Sequence, residues 1–206
     1  MIIEERADGS GAELWVADVA DPAAPGPVQS LSSSLPPRVP GRARARFSPD
    51  GRFLGFRTRG RRSELAFLRL NRFDLGSPFP VVWGDREFLD FVWTPDARGF
   101  VYLVRETANG PVEAFYTSLI PEVPPEPLLP SGSRQARPGS LAPERFGFSP
   151  SGDRLHLVVT SPAAGGDELF VRDYGGTVFG APTRVSGAPA GDIDAVSWSP
   201  RGDRLA

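Results

Sequence analysis

Phe47-Ser48-Pro49-Asp50-Gly51 is repeated three more times: as Trp93-Thr94-Pro95-Asp96-Ala97, as Phe148-Ser149-Pro150-Ser151-Gly152 and as Trp198-Ser199-Pro200-Arg201-Gly202. The copies stand roughly 50 residues apart, a spacing that marks stacked supersecondary units. Proline presets φ at the first central position of a β-turn, Asp or Ser tolerates the second, and Gly supplies the positive φ that returns the chain to a strand. Each copy is therefore a hairpin turn. In the second copy Ala97 stands where Gly is expected and Arg98-Gly99 follows, which predicts a turn one or two residues longer.

Working outward, each turn is followed by a short apolar run: Phe53-Leu54-Gly55-Phe56, Phe100-Val101-Tyr102-Leu103-Val104 and Leu155-His156-Leu157-Val158-Val159. These runs are rich in aromatic and β-branched residues and too short for helices, so they read as strands. A second strand opened by Glu comes next: Glu64-Leu65-Ala66-Phe67, Glu113-Ala114-Phe115-Tyr116 and Glu168-Leu169-Phe170-Val171, with Glu13-Leu14-Trp15-Val16 as a fourth copy. A weaker strand follows near Val28-Gln29-Ser30-Leu31, Val81-Val82-Trp83, Leu128-Leu129 and Thr183-Arg184-Val185, close to prolines. Proline is tolerated only at a sheet edge, where the outermost strand of a propeller blade lies. The fold expected is all-β, a propeller of four-stranded blades.

The expected blades are 1–33 (without its first strand), 42–84, 88–131 and 143–187, within one domain of 206 residues. Residues 193–206 begin another blade, which 1–33 could complete. Two arrangements satisfy this phase: a closed four-bladed ring, or a segment of a larger propeller of six to eight blades.

Blades of the form aromatic-Ser-Pro-Asp-Gly, apolar strand, loop, Glu-Leu-aromatic-Val resemble the WD40-like Pro-Asp repeats of TolB-like propellers. More loosely, they resemble the propeller that precedes the hydrolase of prolyl-oligopeptidase-type peptidases. The resemblance implies a bacterial scaffold or binding platform, periplasmic or extracellular if the chain is part of a TolB-like protein. Such a fold hosts many activities and does not itself fix one.

Composition narrows the function. With no Cys, disulfides, thiolate metal sites and cysteine nucleophiles are excluded. A net charge of −2 gives no field that would draw in nucleic acid. No apolar run approaches the length of a membrane helix and no signal peptide is recognisable at Met1, so no membrane insertion is expected and the compartment stays open. The nucleophile elbow G-x-S-x-G does not occur. The single His, His156, lies within an apolar strand, where packing is the simpler role. No cofactor or metal is expected, and the chain reads as a non-enzyme.

Carboxylates and arginines before the innermost strands are the candidates for ligand contact: Arg44, Asp90, Glu144, Arg145, Asp192 and Asp194. In a propeller these positions border the mouth of the central channel, where charged groups would form a polar pocket. Arginines between Arg38 and Arg62 could form a basic patch, and the Pro-rich stretch 121–145 a recognition loop. The repeat residues Phe47, Pro49, Trp93, Pro95, Phe148, Pro150, Trp198 and Pro200 are read as structural, the aromatics as core between blades. The expected function is a non-catalytic module binding a protein, a peptide or a small ligand. The alternative is the propeller portion of a larger peptidase or lyase whose catalytic residues lie elsewhere.

Overall fold

In a computed structural model of the chain, the described residues are 2–5, 12–16, 29–30, 45–59, 63–69, 79–80, 86–105, 112–119, 124–129, 146–161, 166–185 and 193–206. They form fifteen β-strands and no helix, in four antiparallel sheets. The first sheet has three strands, β1 (Ile2–Glu5), β2 (Ala12–Val16) and β3 (Gln29–Ser30). The second has β4 (Ala45–Phe47), β5 (Phe53–Arg59), β6 (Ser63–Arg69) and β7 (Phe79–Pro80). The third has β8 (Glu87–Trp93), β9 (Gly99–Arg105), β10 (Val112–Ser118) and β11 (Glu126–Pro127). The fourth has β12 (Phe146–Phe148), β13 (Arg154–Ser161), β14 (Gly166–Asp173) and β15 (Thr183–Arg184).

In each four-stranded sheet the strands lie side by side in chain order. Two of the outer strands are displaced by two residues from the positions expected from sequence, and they contain Pro80 and Pro127. Both prolines are on strands at the end of their sheet, where a missing N–H breaks no ladder. The chain divides into two compact units, Met1–Phe88 and Leu89–Ala206.

Within the second unit, burial follows the pleat. Along β10 the residues alternate between buried and half-buried positions over most of its length, while β9 is buried through six of its seven residues. Val101, Leu103, Val112, Ala114, Tyr116 and Leu128 of the third sheet share one apolar core with Phe146, Leu155, Leu157, Val159 and Phe170 of the fourth. Tyr174 and Phe179, beyond β14, complete it: Phe179 meets the ring of Tyr116 at 5.2 Å and that of Tyr174 at 4.8 Å. Two sheets thus bury their facing sides against each other, the packing that successive blades require.

The four turns are built alike. In each, the Ser or Thr N–H donates to a carbonyl five residues on: Ser48 to Phe53, Thr94 to Gly99, Ser149 to Arg154 and Ser199 to Arg204, at 2.8 to 2.9 Å. The same hydroxyl accepts the returning N–H of Phe53, Gly99, Arg154 or Arg204. It also donates to a carboxylate, which occupies either of two places. Asp50 and Asp96 follow the proline; where Ser or Arg takes that place, Asp153 and Asp203 follow the glycine instead. The turn at Ala97 is therefore no longer than the others, contrary to the expectation from sequence. Ala97 itself adopts φ 56°, a left-handed conformation that costs an L-residue roughly 1–2 kcal/mol.

Two of these carboxylates, Asp50 and Asp153, titrate low. The Ser151 and Ser149 hydroxyls hold Asp153 below its usual range. For Asp50 slight burial works in the opposite direction but is outweighed by the Ser48 hydroxyl and the Arg52 N–H, and the net shift is also downward. A depressed folded pKa contributes stability above the unfolded value, and that contribution disappears as pH falls through the folded value. The urea midpoint is expected to fall on acidification below about pH 4, with a shallower dependence in Asp153→Asn. An unchanged slope in that variant would remove the turn from the account.

The turns also stack within the second unit. Gly152 has φ +77°, and a Cβ placed on it would lie 2.7 Å from the Cβ and 2.8 Å from the Cγ of Pro95. Gly51 has φ +68° and open space around it. The Gly51→Ala substitution should cost only the backbone term of ~1 kcal/mol. Gly152→Ala adds a clash with a rigid ring and should cost ~2–4 kcal/mol, read as the difference in urea unfolding.

Candidate functional site

Of the residues expected at a channel mouth, Arg44, Glu144, Arg145 and Asp192 lie outside the described residues. Asp90 lies on β8, 1% exposed, with its Oδ1 accepting the Phe91 N–H at 2.8 Å. Asp194 is exposed, ahead of the last turn. Among the described residues no group of three or more His, Asp and Glu side chains is placed to hold a metal ion. The expected basic patch and recognition loop lie mostly outside the described residues.

The repeat aromatics have unequal surroundings. Trp93 is 5% exposed and meets Phe91 and Phe100 of its own sheet edge-on, at 6.2 and 6.0 Å. Phe148 packs on Tyr174 and Phe179. Trp198 is half-buried against His156 at 5.9 Å, a contact from the last turn to the fourth sheet. Phe47 is 39% exposed, so it is not the core residue that its place in the repeat implied. Of the four prolines, Pro95 carries the contact with Gly152, and Pro49, Pro150 and Pro200 are exposed.

Three charges of the fourth sheet are buried, and of these only Glu168 stands at a position that the repeat marks. Asp167 accepts the Ile193 N–H at 2.9 Å, and Glu168 pairs with Arg184 at 3.0 Å. Arg172, 6% exposed, donates from Nε to the Gly180 carbonyl at 2.6 Å and from Nη2 to Glu126 at 2.9 Å. It also reaches the carbonyls of Phe179 and Pro127. Its guanidinium lies 5.4 Å from the centre of the Phe179 ring. Arg172 thereby ties β14 to β11 of the preceding sheet, a forked use that a lysine cannot reproduce.

A groove of about 460 Å³ lies between the fourth sheet and the final hairpin. That hairpin is formed by the Ser199-to-Arg204 turn and the pairing of Trp198 with Leu205. Leu169, Val171, Val185, Trp198 and Leu205 give the groove apolar walls, and Arg154, Asp173, Asp203 and Arg204 bring charges of both signs. Apolar lining with a few polar groups suits ligand capture more than proton transfer.

No family model matches the chain, and no curated protein matches it. Solved structures do. TolB from Acinetobacter baumannii superposes over 100% of the chain at 16% identity and a TM-score of 0.51. Pyrococcus horikoshii acylaminoacyl peptidase superposes over 98% at 11% identity and 0.56, and a Mycobacterium tuberculosis puromycin-hydrolyzing peptidase over 99% at 14% and 0.55. The chain spans only 47%, 32% and 36% of those three proteins, respectively. At such identities the likeness is one of fold, and that fold is the TolB-like β-propeller.

Proposed function

We propose that the chain is a non-catalytic binding module of TolB-like propeller type, in which each sheet is a blade and the final hairpin begins another. In this reading the blades take the limits 1–33, 42–84, 88–131 and 143–187. The observation that carries the reading is the 460 Å³ groove with apolar walls and charges of both signs. Beside it, Asp167, Glu168 and Arg172 are already engaged in internal bonds. The ligand is a protein or peptide.

Selection of a displayed peptide library on the immobilised chain tests this. Enriched peptides should bind the wild type and lose binding to Val185→Asp, a change at an exposed rim position. Enrichment that is indifferent to the groove, or turnover of aminoacyl anilides or lactones by the purified chain, would contradict the reading. Turnover would place catalytic groups in the chain itself, which also contradicts the alternative, a propeller portion of an enzyme whose catalytic residues lie elsewhere.

A further inference from the structure

The four turns differ at one main-chain bond. After the proline the copies read Asp50-Gly51, Asp96-Ala97, Ser151-Gly152 and Arg201-Gly202, and the later carboxylates precede arginine, as Asp153-Arg154 and Asp203-Arg204. Only the first copy places an aspartate directly before a glycine, whose amide has no side chain to hinder its attack on the neighbouring carboxyl group. The pairs Asp8-Gly9 and Asn109-Gly110 lie outside the described residues.

Both reacting groups of Asp50-Gly51 are held in the folded turn. The Gly51 N–H donates to the Ser48 carbonyl at 2.9 Å. Asp50 Oδ1 accepts from the Ser48 hydroxyl at 2.6 Å and from the Arg52 N–H at 3.1 Å. Slight burial raises the Asp50 pKa, but these donors outweigh it and the net shift is downward. That favours the ionised carboxylate, which a nitrogen attacks poorly.

We propose that Asp50-Gly51 is a latent isomerisation site that Ser48 keeps closed. When the turn opens, the Gly51 nitrogen bonds to the Asp50 side-chain carbon and passes its proton to the carboxyl hydroxyl, which leaves as water. The succinimide so formed takes up one water and opens at either carbonyl, returning the α-linked aspartate or giving a β-linked one. Water is released and then consumed, with no change of mass or oxidation state. The β-link lengthens the main chain by one methylene inside the turn. There the Ser48 N–H reaches the Phe53 carbonyl and the Phe53 N–H reaches the Ser48 hydroxyl, closing the pairing of β4 with β5. With the longer chain those two bonds cannot both form. The inference stands apart from the binding reading, which its failure would leave untouched.

The test incubates the full chain at physiological temperature and neutral pH and separates the α- and β-linked forms of the peptide that carries residues 50 and 51. Wild type should convert at least about tenfold more slowly than a synthetic peptide of residues 45–57. Ser48→Ala should convert about tenfold faster than wild type, since each lost hydrogen bond raises the open population by roughly that factor. Ser48→Thr keeps the hydroxyl, as Thr94 does in the second copy, and should stay as slow as wild type. Gly51→Ala hinders the nucleophile and should be slower still, a result that general loosening of the turn would not give. Equal conversion in wild type and the free peptide, or in wild type and Ser48→Ala, would overturn the proposal. So would β-linkage at Asp96-Ala97 as fast as at Asp50-Gly51, or a Gly51→Ala rate matching that of wild type.

Discussion

Trp93→Ala is expected to lower unfolding free energy by ~3–5 kcal/mol, the range for deleting a large aromatic side chain from a closed core. The indole is 5% exposed and stands edge-on to Phe91 and Phe100, both fully buried. Its removal leaves a hole lined by two rings that the strands β8 and β9 hold in place. Trp198→Ala removes the same side chain from the same place in the repeat. Trp198 is only half-buried, however, and its principal ring contact is His156, so its loss should cost about half as much or less. Urea denaturation of the two variants separates them. Equal losses would mean that the repeat position rather than the local enclosure sets the energy.

Arg172→Met should cost ~3–5 kcal/mol, because it strips the donor from three main-chain carbonyls and one carboxylate at a buried site. The effect on Glu126 alone is a small part of this. Its side chain is 38% exposed and can return to water, and Glu126→Gln should stay below about 1 kcal/mol. If Arg172→Met were as mild as Glu126→Gln, the link from β14 to β11 would be incidental. Lysine at 172 should recover less than half the loss, since it lacks the fork that spans Gly180 and Glu126.

The turns were legible because every part of them is written in adjacent residues: aromatic, hydroxyl, proline and a carboxylate. Even the exchange of Asp50 for Asp153 can be seen by comparing copies. Ala97 misled because a left-handed alanine looks, in sequence, like a missing glycine. Its strain is offset by burial at 6% exposure and by the hydrogen bonds that fix the turn. Arg172 was invisible for a different reason. The same offset from the leading Glu falls on Ala17, Leu68 and Thr117 in the other copies, so no repeat signal marks it, and two of its four partners lie 45 and 46 residues away.

The site was less legible than the fold. Asp90 and Asp194 stand out in the sequence as charges before an innermost strand, a criterion that places a residue along the chain but does not show what it converges with. The groove depends on a contrast that residue type does not contain: Leu128 and Val185 are both aliphatic, on equivalent positions, and differ only in what packs over them.

That contrast is the most direct thing to measure, and a chain without cysteine allows it cleanly. Single Leu128→Cys and Val185→Cys variants would be exposed to a thiol reagent under native conditions, where a buried thiol reacts only through opening of the structure. The account predicts near-unhindered labelling at 185 and labelling slowed by at least about a hundredfold at 128, rising with urea. Comparable rates at the two positions would contradict it.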